Sequence, residues 1–375
     1  MILIKNRNMK AFQSIIIFLL LVGFLTTACS ENRNLNVSVK DPHIQYEGRF
    51  LFSDNSFVRF DYPGSRIRLA YNGTDINIKL KPNAGYYTVS IDGKEPVKFN
   101  SAECDPDSLY RLSTGFKQGN HIVEVTLVSE GLFVKPEFYG FVLTPGSEVM
   151  SLSPKKHKIE FIGNSITCAY GVEAAKKEDT FNDSTSNFIK GYAALTAKAF
   201  DAEMMVVARS GIGVYRNFDD KPEGSERPMP VVYKNVLISE ENTQWDFSRF
   251  VPDLLCLNLG TNDLSTTGYR LDLFEKAYRN FISQIRTNYP STKIVMLSGC
   301  MVQPGAGLEE LRAILDRIAL DLKNSGDNNI YRFDFAPHDG SLGYGADWHP
   351  SASQQKKMSS ELVPFISSIT GWTAE

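Results

Sequence analysis

Four short segments of this sequence carry side chains able to do chemistry. Gly163-Asn164-Ser165-Ile166-Thr167 presents a hydroxyl and Ser210-Gly211-Ile212-Gly213 a glycine-rich turn. Gly260-Thr261-Asn262-Asp263 sets a carboxamide beside a carboxylate, and Asp347-Trp348-His349-Pro350 places an imidazole two residues after an acid. A serine hydroxyl is a weak nucleophile until a base takes its proton, and histidine has a pKa suited to that task. Residues two apart in an extended segment point to the same side, so Asp347 is placed to orient His349. Alternatively a backbone carbonyl holds the imidazole, leaving a Ser–His dyad. Plainer readings stand beside these. Ser165 is a residue favoured at helix N-termini, and Asn262-Asp263 suits turn chemistry because both side chains bond their own backbone. His338, in Pro337-His338-Asp339-Gly340, is the fallback base and otherwise a loop residue.

These groups need a frame that brings them together. From residue 158 onward five apolar segments, Ile159–Ile162, Met204–Ala208, Leu254–Leu259, Ile294–Leu297 and Ile330–Phe335, read as strands buried on both faces. Between them Phe274, Tyr278, Phe281, Ile282 and Ile285 recur at helical spacing, as do Leu311, Ile314, Leu315, Ile318 and Leu322. A last helix spans 351 to 368. Strand–helix alternation of this kind predicts a three-layer α/β domain over 158–375, a parallel sheet flanked by helices. In such sheets functional groups gather at the carboxyl ends of the strands, where three of the four segments fall. Residues 43–148 differ. Short alternating strands such as Ile76–Leu80 and Tyr86–Ile91, punctuated by Pro63-Gly64, Asn72-Gly73 and Asp92-Gly93, predict an all-β sandwich or jelly roll. Asp92-Gly93 between two strands predicts a hairpin. Residues 149–157 read as a linker.

The first 28 residues read as a secretory signal: Lys5, Arg7 and Lys10 precede an apolar run from Ala11 to Leu25, then small residues. Leu25-Thr26-Thr27-Ala28-Cys29 resembles a bacterial lipobox, with Thr26 where an aliphatic residue is commoner, and would make Cys29 a lipidated first residue. Residues 29–42 are polar and read as a tether. The expectation is a lipoprotein of the bacterial cell envelope, touching the membrane through its lipid anchor alone. Forty basic against 43 acidic residues, a net charge of −3, give no sign of nucleic-acid binding. The five cysteines form no C-x-x-C pair, which argues against a zinc ribbon or thioredoxin-type site. Cys168 and Cys256 read as small buried hydrophobes. No metal site and no cofactor are expected.

Taken together, the four segments resemble the SGNH (or GDSL) hydrolase superfamily. Gly163-x-Ser165-x-Thr167 lacks the second glycine of the α/β-hydrolase elbow, which argues against that alternative fold. The all-β segment upstream, with Gly-Asn-Ser-Ile-Thr, Ser-Gly-Ile-Gly-Val-Tyr-Arg-Asn and Asp-Trp-His-Pro-Ser, resembles more narrowly carbohydrate esterase family 2. The resemblance implies Ser165 as nucleophile and His349 as base, with Asp347 as its orienting acid. It implies an oxyanion hole from Ser165 N–H, Asn262 and a glycine N–H, with Gly211 and Gly213 both open. It also implies an acetyl esterase, acetyl xylan esterase-like, acting on acetylated plant-type poly- or oligosaccharides of xylan or mannan type. Alternatives are an SGNH esterase or thioesterase on another acyl group, and a non-catalytic envelope glycan-binding protein. Tyr170, Tyr215, Trp245 and Trp348 are aromatics suited to sugar faces; Trp348, beside His349, is the one expected to touch substrate.

Overall fold

The computed structural model describes residues 33–105, 107–113 and 115–375, so the export segment and Cys29 lie outside the described residues. The first strands are β1 (Leu35–Val37), β2 (Gln45–Glu47), β3 (Val58–Arg59), β4 (Arg66–Gly73), β5 (Ile76–Leu80) and β6 (Tyr86–Ile91). They continue with β7 (Val97–Asn100), β8 (Leu109–Arg111), β9 (Gly119–Leu127), β10 (Glu137–Leu143) and β11 (Glu148–Met150). These form two antiparallel sheets. One runs β1-β10-β5-β8 with β3 also on β10; the other runs β11-β4-β9-β6-β7 with β2 also on β4. Alternation drives their packing: Ile76, Ile78 and Leu80 of β5 are buried while Asn77 and Lys79 are not. They meet Leu69, Val125 and Leu127 of the other sheet in one apolar core. The Asp92-Gly93 hairpin forms: both residues have positive φ (57° and 69°), and Lys94 N–H closes the turn on the Ile91 carbonyl at 3.2 Å.

Two expectations are corrected here. The tether over 29–42 ends early, because β1 pairs with β10 (Leu35 opposite Leu143) and buries Val37 and Val39 on the domain core. The average polarity of that stretch conceals two valines at strand spacing. The linker over 149–157 is also trimmed at both ends, since β11 pairs with β4 as far as Met150 and the next strand starts at His157.

That strand is β12 (His157–Gly163), followed by β13 (Ala202–Ala208), β14 (Leu254–Asn258), β15 (Lys293–Ser298) and β16 (Ile330–Asp334). They form a parallel sheet in the order β13-β12-β14-β15-β16. Alternate residues serve opposite layers. Phe161, Val206, Cys256 and Val295 pack with Tyr192, Met358 and Leu362, from the helices Tyr192–Ala199 and Ala352–Thr370. Ile162, Val207, Leu257 and Met296 pack with Phe274, Phe281 and Leu315, from the helices Leu271–Asn288 and Ala306–Asn324. Both faces are therefore dry, which is why these strands read as near-continuous apolar runs. The helix Tyr192–Ala199 escapes the sequence reading because its alanine-rich segment is buried on most sides and carries little amphipathic pattern.

The two domains share buried polar contacts. The fully buried guanidinium of Arg49 donates to the carbonyls of Tyr233 (2.6 Å) and Asn235 (2.8 Å) and to the Glu160 carboxylate (3.3 Å). Asp61 accepts the backbone N–H groups of Ile238 and Ser239, both at 2.9 Å. Burial pushes the Glu160 carboxyl up to about 7 despite the Arg49 charge beside it.

Candidate active site

β12 lies between β13 and β14, so the chain leaves it first to one side and then to the other. This is the switch point at which open parallel sheets hold their ligands. The three strand ends meeting there carry Ser165, Gly211 and Asn262.

Ser165 opens a one-turn helix, Ser165–Cys168. The capping role falls to Asn164, whose side chain accepts from Ile166 N–H at 3.0 Å. Ser165 thus keeps its hydroxyl for other work, and among the described residues its N–H has no partner. That hydroxyl lies 2.8 Å from His349 Nε2.

His349 follows the tight turn Ala346–Trp348 and precedes the last helix. Asp347 and Trp348 both adopt left-handed backbone (φ 48° and 56°), a conformation that costs a non-glycine residue about 1–2 kcal/mol. The turn is pinned against residues that follow the nucleophile. Ala346 N–H donates to the Gly171 carbonyl (3.0 Å), Asp347 N–H to Asp179 (3.0 Å) and Trp348 N–H to Lys177 (3.2 Å). Gln355, buried in the last helix, accepts from Tyr192 N–H and donates to the Ile166 carbonyl, both at 2.9 Å. It ties the helix after the base to the helix after the nucleophile.

The turn aims backbone oxygen at the imidazole: Nδ1 lies 3.0 Å from the Ala346 carbonyl and 3.2 Å from that of Asp347. Nδ1 therefore carries the proton, and Nε2 is free to accept one from Ser165. The expected triad geometry is corrected. The Asp347 carboxylate makes no hydrogen bond to the ring and accepts the Tyr170 hydroxyl at 2.5 Å, while the left-handed backbone presents the Asp347 carbonyl to His349 instead. Tyr170 also lays its ring on the imidazole, with centroids 4.1 Å apart and planes 26° from parallel. Burial lowers His349 to about 4, against the pull of the two carbonyls and the nearby Asp347 charge. The ring is neutral at neutral pH.

Of the two glycines, Gly211 suits the oxyanion role. Its φ is +76°, and its N–H has no partner among the described residues. Gly213 is corrected: its N–H is bonded to Asn217 Oδ1 at 3.1 Å, and a side chain there would meet the Arg216 carbonyl at 1.9 Å. Glycine is required at 213 by loop packing. The buried Asn262 side chain gives one N–H to the Ile212 carbonyl (2.8 Å) and keeps its second. Asp263 is buried and gathers the N–H groups of Val214, Tyr215 and Arg216 at 2.9–3.1 Å, folding the loop that follows Gly211.

Trp348 is 49% exposed beside His349, and Phe218, whose Cβ approaches Gly211, is 58% exposed. Tyr215 and Trp245 are buried and offer no sugar face: Tyr215 accepts Arg270 N–H at 2.7 Å, and Trp245 lies against Arg49. His338 is buried edge-on to Tyr344, away from any bond to Ser165. Cys168 and Cys256 are buried. Among the described residues no group of three or more His, Cys, Asp or Glu gathers as metal ligands do. Glu130, which reaches Ser210 from the N-terminal domain, was not anticipated; nothing in its local sequence separates it from other loop acids.

A parallel sheet with a Ser–His pair at its switch point, and a glycine turn and an asparagine after the neighbouring strands, is the arrangement of a GDSL-type ester hydrolase. Residues 159–362 match the GDSL-like lipase/acylhydrolase family, and residues 46–163 match the carbohydrate esterase 2 N-terminal domain. The solved structure of a family two carbohydrate esterase from Clostridium thermocellum, in complex with cellohexaose, superposes with a TM-score of 0.80 at 33% identity, over 88% of this chain and 99% of that one. This chain belongs to carbohydrate esterase family 2. It is 34% identical over 335 residues to the cellulase/esterase CelE of Acetivibrio thermocellus, covering 88% of this chain but 40% of that protein. It is 26% identical to an acetylxylan esterase / glucomannan deacetylase of Cellvibrio japonicus, over 95% of this chain and 98% of that protein.

Proposed function

We propose that this enzyme removes acetyl groups from xylan- or mannan-type poly- or oligosaccharides through an acetyl-enzyme on Ser165. The observation that carries the reading is the 2.8 Å Nε2–Oγ contact, with Nδ1 committed to backbone carbonyls. Ser165 Oγ attacks the acetyl carbonyl while Nε2 takes its proton. The tetrahedral oxyanion meets Ser165 N–H, Gly211 N–H and Asn262 Nδ2; one such donor is typically worth about 2.7–4 kcal/mol. Collapse returns the proton to the departing sugar oxygen and leaves acetyl-Ser165. His349 then deprotonates water, which attacks the acetyl group and releases acetate. Exposed Trp348 and Phe218 flank the pair as sugar-stacking faces.

The N-terminal domain reads as a jelly roll spanning roughly 43–148 that buttresses this site, with the catalytic domain over 158–375. The lipobox-like segment ending at Cys29 supports export and lipid anchoring at the cell envelope. The deciding experiment is acetate release from acetylated xylan, acetylated glucomannan and a short-chain aryl acetate, wild type against Ser165→Ala. Activity on the polysaccharides that vanishes in the variant is expected. Equal activity in both proteins removes Ser165 as nucleophile, and cleavage of the aryl ester alone discards the polysaccharide assignment.

A further inference from the structure

Ser210, immediately before Gly211, is held by a residue of the other domain. Glu130 lies in the loop between β9 and β10, and its carboxylate accepts Ser210 N–H at 2.9 Å and also the Ser210 hydroxyl. The loop that presents it is fixed on both sides. Ser129 Oγ accepts Tyr86 N–H (3.1 Å), Gly131 N–H donates to the Asp61 carbonyl (2.9 Å), and Val128 accepts Phe188 N–H from the hydrolase (3.1 Å). A side chain at 131 would meet Asp61 Cα at 2.7 Å, so only glycine lets the loop backbone lie this close to Asp61. On the hydrolase side, Arg209 N–H bonds the Gly163 carbonyl (3.3 Å) and Ile212 N–H bonds the Arg209 carbonyl (3.3 Å). Between these two bonds the path of the chain turns at Ser210, whose conformation sets the peptide plane carrying Gly211 N–H. The carboxylate spans that residue with two bonds, one to its backbone and one to its side chain.

We propose that Glu130 is a positioning residue of the esterase reaction, supplied by the N-terminal domain, which clamps Ser210 so that Gly211 N–H meets the developing oxyanion. Oxyanion donors act because they are fixed before charge appears and need no reorganisation when it does. The donor sits on a strand-to-loop turn, and the buried Cys168 thiol of the hydrolase is also close to Ser210, but the group that bonds both its N–H and its hydroxyl is Glu130 of the other domain. The inference rests on the Ser165 mechanism above and extends it, since the N-terminal domain then acts on the rate of the chemical step as well as on the shape of the cleft.

The test compares Glu130→Ala, Glu130→Gln and Ser210→Ala with wild type and Ser165→Ala on a short-chain aryl acetate. A carboxamide can accept Ser210 N–H and donate to its hydroxyl, so glutamine preserves both bonds. Glu130→Ala is expected to lower kcat by about 10- to 100-fold, less than or equal to loss of a whole donor, with KM within about twofold. Affinity for an aryl boronic acid, whose tetrahedral Ser165 adduct places an oxygen in the hole, should fall by the same factor. Glu130→Gln should restore kcat to within about fivefold of wild type, and Ser210→Ala should show a smaller loss of the same kind. Wild-type kcat in Glu130→Ala overturns the proposal. So does a loss confined to KM, or one that glutamine does not rescue. Should the alanine variant fail to fold, boronate affinity in Ser210→Ala decides: an unchanged value overturns the proposal. Activity surviving in Ser165→Ala would instead overturn the underlying mechanism, and the two failures are distinct.

Discussion

Replacing Asp347 with asparagine separates two ways of holding a catalytic histidine. Where a carboxylate orients the ring, the same change elsewhere lowers kcat by about 10⁴, or roughly 5.4 kcal/mol, because the wrong tautomer results. Here the Nδ1 proton goes to the carbonyls of Ala346 and Asp347, at 3.0 and 3.2 Å, and both survive the substitution. What changes is the bond from the Tyr170 hydroxyl, which becomes an ordinary neutral hydrogen bond, together with the Asp347 charge that favours the imidazolium. A charge-assisted bond is worth about 1.5–3 kcal/mol and a neutral one about 0.5–1.5, so the loss is about 1–2 kcal/mol, or roughly 5- to 30-fold in kcat. Single-turnover and steady-state hydrolysis of an aryl acetate at neutral pH measures it. Tyr170→Phe should cost a similar factor, and the double variant should cost less than the product of the two, since both remove one contact. A loss of a thousandfold or more in Asp347→Asn, with an unchanged melting temperature, would refute the carbonyl-held dyad.

The pH profile is a second check. With His349 lowered to about 4, kcat/KM for a neutral ester should hold through pH 6.5 and fall only towards 4, because the free enzyme keeps its base neutral in that range. The sign for stability follows from the same shift: the folded value lies below the usual 6.5, so this group's contribution is present above 6.5 and lost as pH falls towards 4. Asp263→Ala leaves three buried N–H groups without an acceptor; at about 1–3 kcal/mol each, thermal denaturation should show a loss of at least about 3 kcal/mol. Arg49→Ala strands a buried Glu160 and should cost about 3–5 kcal/mol by chemical denaturation, a cost partly relieved at pH values where that carboxyl is protonated.

Much of the frame was legible because its signals are local. Most strands of the parallel sheet are dry on both faces and announce themselves as apolar runs, whereas the edge strand β16 is only half-buried from Tyr331 to Phe333. The helices Leu271–Asn288 and Ala306–Asn324 carry Phe274, Phe281, Leu311 and Leu315 at helical spacing because only one face of each is buried. Ser165 and Asn262 were legible as types after strand ends, and His349 as the imidazole just before the last helix. The details that failed were matters of backbone direction. No spacing argument shows that Asp347 adopts left-handed φ and so turns its carbonyl to the ring, nor that Gly213 N–H is taken by Asn217. Tyr170 looked like a sugar platform, yet its face is spent on His349. Glu130 was invisible for a simpler reason: its partner, Ser210, is distant in sequence and belongs to another domain.

The Arg49 seat also bears on how such a chain can be cut and rejoined. Its guanidinium completes the environment of Glu160, a residue in the middle of β12, while aromatic rings of the hydrolase, Tyr233 and Trp245, stack around it. A catalytic domain excised at the start of β12 would carry an open, acidic hole lined with aromatic surface, a poor starting point for solubility. The unit that can be grafted onto another scaffold, or exchanged between relatives by recombination, is therefore the pair of domains together, with the crossover placed before β1.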